Sequence, residues 1–519
     1  MVKKDLKAGS TMKSNDIGVP KSELQHIIYG MSNNTVSKIS YRDSTGMHTI
    51  YYADLFVKAH KIANYLQSSG IDNGEIVAIH GETSLGWLVV DLACAIVGAV
   101  SLALYPNTDP SRVVRLIREC KVKLVFSDSE GFQEDLSQSG IQCISLKERS
   151  RGLNVRQIID GETLREISYN APLKREFTIV STSGTLSQPR LFSVASNPLL
   201  RTIEEFVNRH SITGNDNILI FLPLSHLPQR MICYGFLKAQ TNLTLSNPQF
   251  FSKDSINNCA TITVTVPRVL EFCYKRKGDT CDKVFGKTMR LIFVGSAPTR
   301  PEVMQTLIDA GFPIYEVYGT TELGIIAMSY PGQRRVGYAG PRLPWVNIKT
   351  TEEKELLINT ETPFLYGFMN NGLTEPFDYD KEKWISSGDL AELNGNFVRV
   401  VARVKDFIVL QSGEKIYVNH LEMQLSELLS DMLIVIVGNG GKNIKAMLFH
   451  EPSVKIDNLN IKRAIRMLNK SNHRLEAIKE YALFNNMPSA KEECMTDTMK
   501  IRRHAIEHRY NPIAKWTDA

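Results

Sequence analysis

The chain has 519 residues, 43% of them hydrophobic and 22% charged, long and apolar enough for about three domain-sized units with their own cores. That composition excludes a mainly disordered protein, a collagen-like chain and a small disulfide scaffold. Sixty-one Lys and Arg against 55 Asp and Glu leave a formal charge of +6, with no basic stripe to track a phosphate backbone, so no nucleic-acid partner is expected.

In chain order, the polar start lacks the apolar run of a secretory signal. From Tyr52 to Ser69, Leu55, Ala59, Ile62, Ala63 and Leu66 recur on one helical face and Gly70 ends the pattern, which predicts a helix. EIVAIHG follows as a strand. Leu85 to Tyr105 is nearly long and apolar enough to span a bilayer. Asp91 interrupts it, however, and VSLALYP reads as a strand stopped by Pro106. A buried helix followed by a core strand is therefore expected, with no integral membrane segment. SRVVRLIREC predicts the next helix and VKLVFSD the next strand, and the alternation resumes at ILIFLPLS, ATITVTVP, MRLIFVGSAP and PIYEVYG. Strands separated by such helices predict an α/β fold whose parallel-rich sheets are covered by helices. From about Arg342 short strands and turns predict a β-rich subdomain. After Asp406 a compact α+β pattern predicts a small C-terminal domain, with the charged stretch Ala402 to Asp406 as the boundary. Eight cysteines are scattered without a Cys-x-x-Cys pair, which suits free thiols in a reducing compartment and a cytoplasmic location.

In open α/β sheets, ligand sites gather in the loops beyond the carboxyl ends of strands. The first such loop is TIVSTSGTLSQPR, where a β-rich run opens into Thr182, Ser183, Gly184, Thr185, Ser187 and Arg190. Small hydroxyl residues around a glycine let N–H groups and hydroxyls converge on phosphate oxygens, with a cation to balance charge. It is not a Walker loop, and the composition alone fits a polar surface loop equally well. FLPLSHLPQR carries His226 and Arg230 beyond a strand, without the G-x-S-x-G elbow or H-E-x-x-H cluster that would make a hydrolase or a zinc enzyme. VYGTTELG places Glu322 behind Tyr318, Gly319, Thr320 and Thr321: an aromatic for a base, hydroxyls for a phosphate, and one carboxylate for a phosphate-borne magnesium ion. Asp389 in SSGDL is placed to accept from ribose hydroxyls. VGNGGKN, between two apolar strands with no helix after its lysine, reads as a hairpin turn.

These segments resemble, in order, the motifs of the adenylate-forming superfamily: acyl- and aryl-CoA synthetases, peptide-synthetase adenylation domains and firefly-type luciferases. STSGTLSQPR is similar to its phosphate loop. FLPLSHLPQR is similar to the P-x-x-H-x-x-x-R segment of fatty acyl-CoA synthetases and carboxylate-reductase adenylation domains. VGSAP, VYGTTE, SSGDL, ARVKDFIVLQSGEKIYVNHLE and TDTMKIRR resemble the remaining motifs, so the likeness runs from about Tyr52 to Tyr510. It implies a large adenylation domain over residues 1–402, a hinge over 403–406 with Lys405 in it, and a small mobile lid over 407–519. It implies that Thr182, Ser183, Gly184, Thr185 and Arg190 hold the ATP phosphates, that Tyr318, with Gly319 and Thr320 beside it, stacks on adenine, and that Thr321 contacts the α-phosphate. Glu322 would bind magnesium, and Gly295, Ser296 and Ala297 would border adenine and the acid. Asp389 and Arg403 would grip the ribose, while His226 and Gly324 would line the acid pocket. Lys500 would bridge the acid's carboxylate and the nucleotide, so that Lys500, Glu322 and Thr185 carry the catalysis.

The implied reaction joins a hydrophobic fatty or aryl acid to coenzyme A through an acyl-adenylate. A carrier-protein phosphopantetheine supplied in trans is an alternative acceptor. A luciferase-like oxygenase and a degenerate nucleotide-binding module are the competing readings. The oligomeric state, a homodimer included, is left open. The sequence departs from the family pattern at Ser187 and Leu191, where glycines are usual, and at Arg190, where lysine is usual. It departs again at Ala402, Val418 and Asp497, the last two at common prolines. Lost glycines stiffen a phosphate loop, and arginine keeps the charge with a different fork geometry.

Overall fold

A computed structural model describes residues 20, 22–129, 133–138, 140–147, 152–165, 176–181, 191–275, 280–370, 372–377, 380, 382–404, 407–429, 432–454, 456–488, 494–495 and 501–519. The expected α/β architecture is present. One eight-stranded sheet runs in the order Gly324–Met328, Ile314–Thr320, Leu291–Val294, Ile262–Thr265, Asn217–Ile220, Asn242–Leu245, Lys38–Asp43, Gly46–Tyr51, parallel except at its two outer hairpins. A second has the order Leu373–Pro376, Leu365–Asn370, Leu191–Ala195, Glu176–Ser181, Val100–Leu104, Ile76–His80, Leu124–Ser127, Gln142–Ser145, parallel from Glu176–Ser181 onward. A five-stranded antiparallel sheet formed from residues 340–403 supplies the β-rich part.

Parallel strands must be covered on both faces, and the burial follows this rule. In Ile76–His80 all five residues are buried. Val77 and Ile79 pack into the large core that also holds the helices Tyr52–Ser68, Leu85–Val97, Ser196–Arg209 and Leu227–Lys238, while Ile76 and Ala78 pack on the opposite face with the helix Pro110–Glu119. The membrane question raised by Leu85 to Tyr105 is answered by this arrangement. Leu85–Val97 is a 13-residue helix capped by Ser84 and buried almost throughout, and Val100–Leu104 is a central strand. Among the described residues no helix is long and apolar enough to cross a membrane.

Residues from Ile408 onward bury their apolar side chains in clusters separate from those formed by the chain up to Val400. There the helices Asn419–Leu428 and Asn458–Ser471 pack with a four-stranded sheet that begins with the hairpin Met432–Val437 and Lys445–His450. VGNGGKN is the turn of that hairpin, as its flanks predict. All eight cysteines are free thiols.

Candidate active site

Leu291–Val294 and Ile314–Thr320 are parallel neighbours, with Val294 opposite Glu316. Gly295-Ser296-Ala297, which follows the first strand, and Tyr318 to Glu322, which ends the second and leads out of it, therefore lie side by side at the carboxyl edge of the sheet. Gly295 is required by this closeness, because a Cβ there would lie 2.8 Å from the carbonyl oxygen of Val317. Ser296 holds a left-handed φ of 72°, an uncommon conformation for a residue with a side chain that concentrates at functional sites. Its Oγ lies 3.3 Å from Nε2 of His226, the residue that leads into the helix Leu227–Lys238. Two candidates from loops 70 residues apart thus meet at one point.

Beyond Thr320 the chain reverses so that Thr320 pairs with Gly324. Gly324 has φ +80° and its missing Cβ would strike the Phe364 ring, so the turn needs glycine on both counts. The Thr320 hydroxyl accepts from the Leu323 N–H at 3.1 Å. The carbonyl of Glu322 accepts from the Leu365 N–H at 2.7 Å, which ties this turn to the second large sheet.

Asp389 and Arg403 face each other across the antiparallel strands Ile385–Asn394 and Phe397–Arg403. Arg403 Nε stands 3.1 Å from Asp389 Oδ1, and the Tyr318 hydroxyl donates to Oδ2 at 2.7 Å. The Asp389 side chain is 5% exposed, while the Arg403 side chain is 55% exposed and open to a ligand. Burial, followed by the Asp389 charge, pushes the Tyr318 phenol well above its ordinary range, so the hydroxyl stays protonated and keeps donating. The base-stacking candidate and both ribose candidates form one connected group.

Two features near the site escaped sequence reasoning. Glu316 lies two residues before Tyr318 on the same strand. Burial pushes its carboxyl up to about 8, opposed by a hydrogen bond from the Gly337 N–H. Below its ordinary pKa of 4.5 the group is protonated whether the chain is folded or not. From there to about 8 the unfolded chain releases a proton that the folded chain keeps, so stability falls with rising pH and levels off above 8. Glu316→Gln, neutral throughout, is expected to gain on the parent across that window in thermal midpoints taken at successive pH values. Parallel curves would show that the carboxyl is not held neutral. The second missed feature is the partner of Asp91. The helix expected to be buried carries this carboxylate to Arg230, where both are buried. An isolated acid in an apolar run and a lone arginine after a histidine were the available signals.

The AMP-binding enzyme family matches residues 32–361, which span the helical α/β part and most of the loops described above. The chain belongs to the AMP-binding enzyme family. Over 86% of this chain and 88% of the relative it is 22% identical to the long-chain-fatty-acid–CoA ligase FadD15 of Mycobacterium bovis. It is 24% identical to the indoleacetate–CoA ligase of Aromatoleum aromaticum over 75% of this chain and 80% of that one. The fold is that of ATP-bound MatB from Rhodopseudomonas palustris, with a TM-score of 0.79 at 18% identity over 95% and 99% of the two chains. Both relatives are named as CoA ligases, which fits an ATP-dependent acid–thiol ligase.

Within this family site, Thr182, Ser183, Gly184, Thr185 and Arg190, together with Lys405 and Lys500, lie outside the described residues. The strands around the first group are described: Glu176–Ser181 and Leu191–Ala195 form an antiparallel pair that brings Ser181 opposite Leu191. Leu191, at a usual glycine position, is 7% exposed and belongs to an apolar core. Ala402 is 8% exposed within its strand, and Val418, at a common proline position, is fully buried at the start of Asn419–Leu428. These three departures are packing residues. Among the described residues no three His, Cys, Asp or Glu side chains converge as metal ligands. Glu322, a single half-buried carboxylate, fits a magnesium ion held chiefly by nucleotide phosphates.

Proposed function

We propose that this protein activates a hydrophobic carboxylic acid with ATP and passes the acyl group to the thiol of coenzyme A. The observation that carries the reading is the linked group Tyr318, Asp389 and Arg403 at the same sheet edge as Gly295, Ser296 and His226. A ribose-binding carboxylate and a candidate acid pocket are thereby joined in a chain of the AMP-binding family. The acid class follows from relatives named for long-chain fatty acids and for indoleacetate.

In this reading residues 1–402 bind the substrates, 403–406 form a hinge and 407–519 a lid. Adenine rests against Tyr318, whose hydroxyl is committed to Asp389 and so cannot compete for the base. Asp389, oriented by Tyr318 and Arg403, accepts from the ribose hydroxyls. Gly295 allows close backbone approach, and Ser296 with His226 borders the acid. Thr182, Ser183, Gly184, Thr185 and Arg190 bind the β- and γ-phosphates, with Gly319, Thr320 and Thr321 near the α-phosphate. Glu322 would hold magnesium, which offsets phosphate charge. The carboxylate oxygen attacks the α-phosphorus and pyrophosphate leaves, giving the acyl-adenylate; Lys500 balances the charges that meet. The lid then turns about Lys405. A thiolate attacks the acyl carbon, the C–O bond to AMP breaks, and a thioester forms.

Pyrophosphate release by the purified chain with Mg-ATP, across fatty and aromatic acids and with or without coenzyme A, tests this. Release that one acid class elicits and coenzyme A accelerates is expected. Release indifferent to coenzyme A would favour a carrier-protein acceptor, and ATP binding without release for any acid would leave only a nucleotide-binding module.

A further inference from the structure

The geometry points to Arg230 as a positioning residue that locks the strand leading to the phosphate segment onto the helix leading from the acid pocket. This inference rests on the adenylation reading above. Arg230, 1% exposed, sits one helical turn after His226. Its Nε donates to Asp91 Oδ2 at 2.8 Å and its Nη2 to Oδ1 at 2.5 Å. Nη1 donates to Thr178 Oγ1 at 2.8 Å, and Nη2 also reaches Ser101 Oγ at 2.6 Å. Tyr234, one turn further along the same helix, adds a hydrogen bond to Asp91 Oδ2 at 2.8 Å. Thr178 in turn donates to the Ser101 carbonyl at 2.7 Å. The guanidinium lies 4.4 Å from the Phe177 ring centroid and 5.4 Å from that of Trp87.

One side chain thus joins the helices Leu85–Val97 and Leu227–Lys238 to the strands Val100–Leu104 and Glu176–Ser181. Stability alone does not call for such an arrangement, because a buried ion pair is often no better than apolar residues of equal volume. What apolar packing lacks is direction. A planar fork with four bonds in fixed directions sets the separation and rotation of the elements it grips. Glu176–Ser181 ends immediately before Thr182, and Leu227–Lys238 begins immediately after His226. The two ends that must hold ATP and acid for in-line attack are referenced to a single guanidinium. A displacement of about 1 Å in such a frame costs roughly a hundredfold in rate.

Three variants separate positioning from stability. Thr178→Val removes the acceptor on the strand and leaves the ion pair. Asp91→Leu with Arg230→Met replaces the pair by apolar side chains. Leu55→Ala, in the same core but outside the network, is the stability control. Each is measured for its thermal midpoint, its Mg-ATP dissociation constant without acid, and kcat and KM in acid-dependent ATP–pyrophosphate exchange. The expected result is a folded apolar pair whose exchange kcat is down about a hundredfold and whose ATP dissociation constant is up about tenfold. Thr178→Val should move the same way by a smaller factor, and Leu55→Ala should lose thermal midpoint with its kinetics unchanged. An apolar pair within threefold of the parent in both readouts would overturn the inference. If that pair fails to fold, parent-like ATP affinity and kcat in Thr178→Val overturn it instead. ATP affinity is read without turnover, so a parent inactive with every acid would refute the ligase reading while the network is still judged by nucleotide binding.

Discussion

Lys500→Ala is expected to lower acid-dependent pyrophosphate release on the order of 100- to 1,000-fold, the scale seen when one preorganised charge-stabilising donor is removed. The reason is electrostatic. A carboxylate must approach an α-phosphate that is itself negative, and the incoming and leaving oxygens both carry charge in the transition state. Mg-ATP affinity should change little, because in the proposed reading the nucleoside is held by the linked group Tyr318, Asp389 and Arg403 without Lys500. Thioester formation from a supplied acyl-adenylate should also survive, since that half-reaction breaks a bond already activated. The described neighbours of Lys500 make this separation plausible on structural grounds. Met495 pairs with Ile501, and the Arg502 N–H donates to the Cys494 carbonyl at 2.9 Å. Cys494 is buried among Val435, Met447, Phe449, Ile506 and Tyr510. The base of the lysine segment is therefore fixed to the C-terminal core, and removing a side chain from the segment leaves that core intact. Assaying the two half-reactions separately decides the matter. Equal losses in both would assign Lys500 to holding the fold or the nucleotide rather than to the adenylation step.

What the sequence made legible was local. The short apolar runs Ile76–His80, Val100–Leu104 and Leu291–Val294 are strands, buried at every position because both faces are covered. The hairpin Lys38–Asp43 and Gly46–Tyr51 was not anticipated. Most of its side chains are only partly buried, so it lacks a clear apolar alternation. It joins its sheet by pairing with Asn242–Leu245, some 200 residues away. Asp389 was readable as a ribose-binding candidate, but its bond to Tyr318 spans 71 residues and depends on how two sheets meet. Glu316 looked like an ordinary strand acid, because the burial that raises its pKa comes from other segments. Asp91 was read as a break in the apolar run, but its partner was not foreseen. A carboxylate inside an apolar helix requires a buried partner, yet nothing local says that the partner is 139 residues on.

The same pair gives the largest expected loss of stability. Asp91→Leu removes the carboxylate paired with a guanidinium that is 1% exposed, leaving Thr178 and Ser101 as neutral acceptors. Breaking one side of a buried ion pair costs about 3–5 kcal/mol, a large part of the roughly 5–15 kcal/mol by which folded domains are stable. Urea unfolding followed by the tryptophan signal, to which the nearby Trp87 contributes, should show a midpoint shifted to much lower denaturant at unchanged slope. The second substitution carries the argument. Adding Arg230→Met to Asp91→Leu removes the stranded charge, so the double variant should recover most of the loss and be more stable than either single one. Strict additivity of the two losses would instead mean that water or another anion already serves Arg230 when Asp91 is gone. Recovery of stability alongside lost exchange activity would divide the two roles cleanly: the fold tolerates an apolar contact between these helices and strands, whereas the reaction requires the direction that a hydrogen-bonded fork imposes.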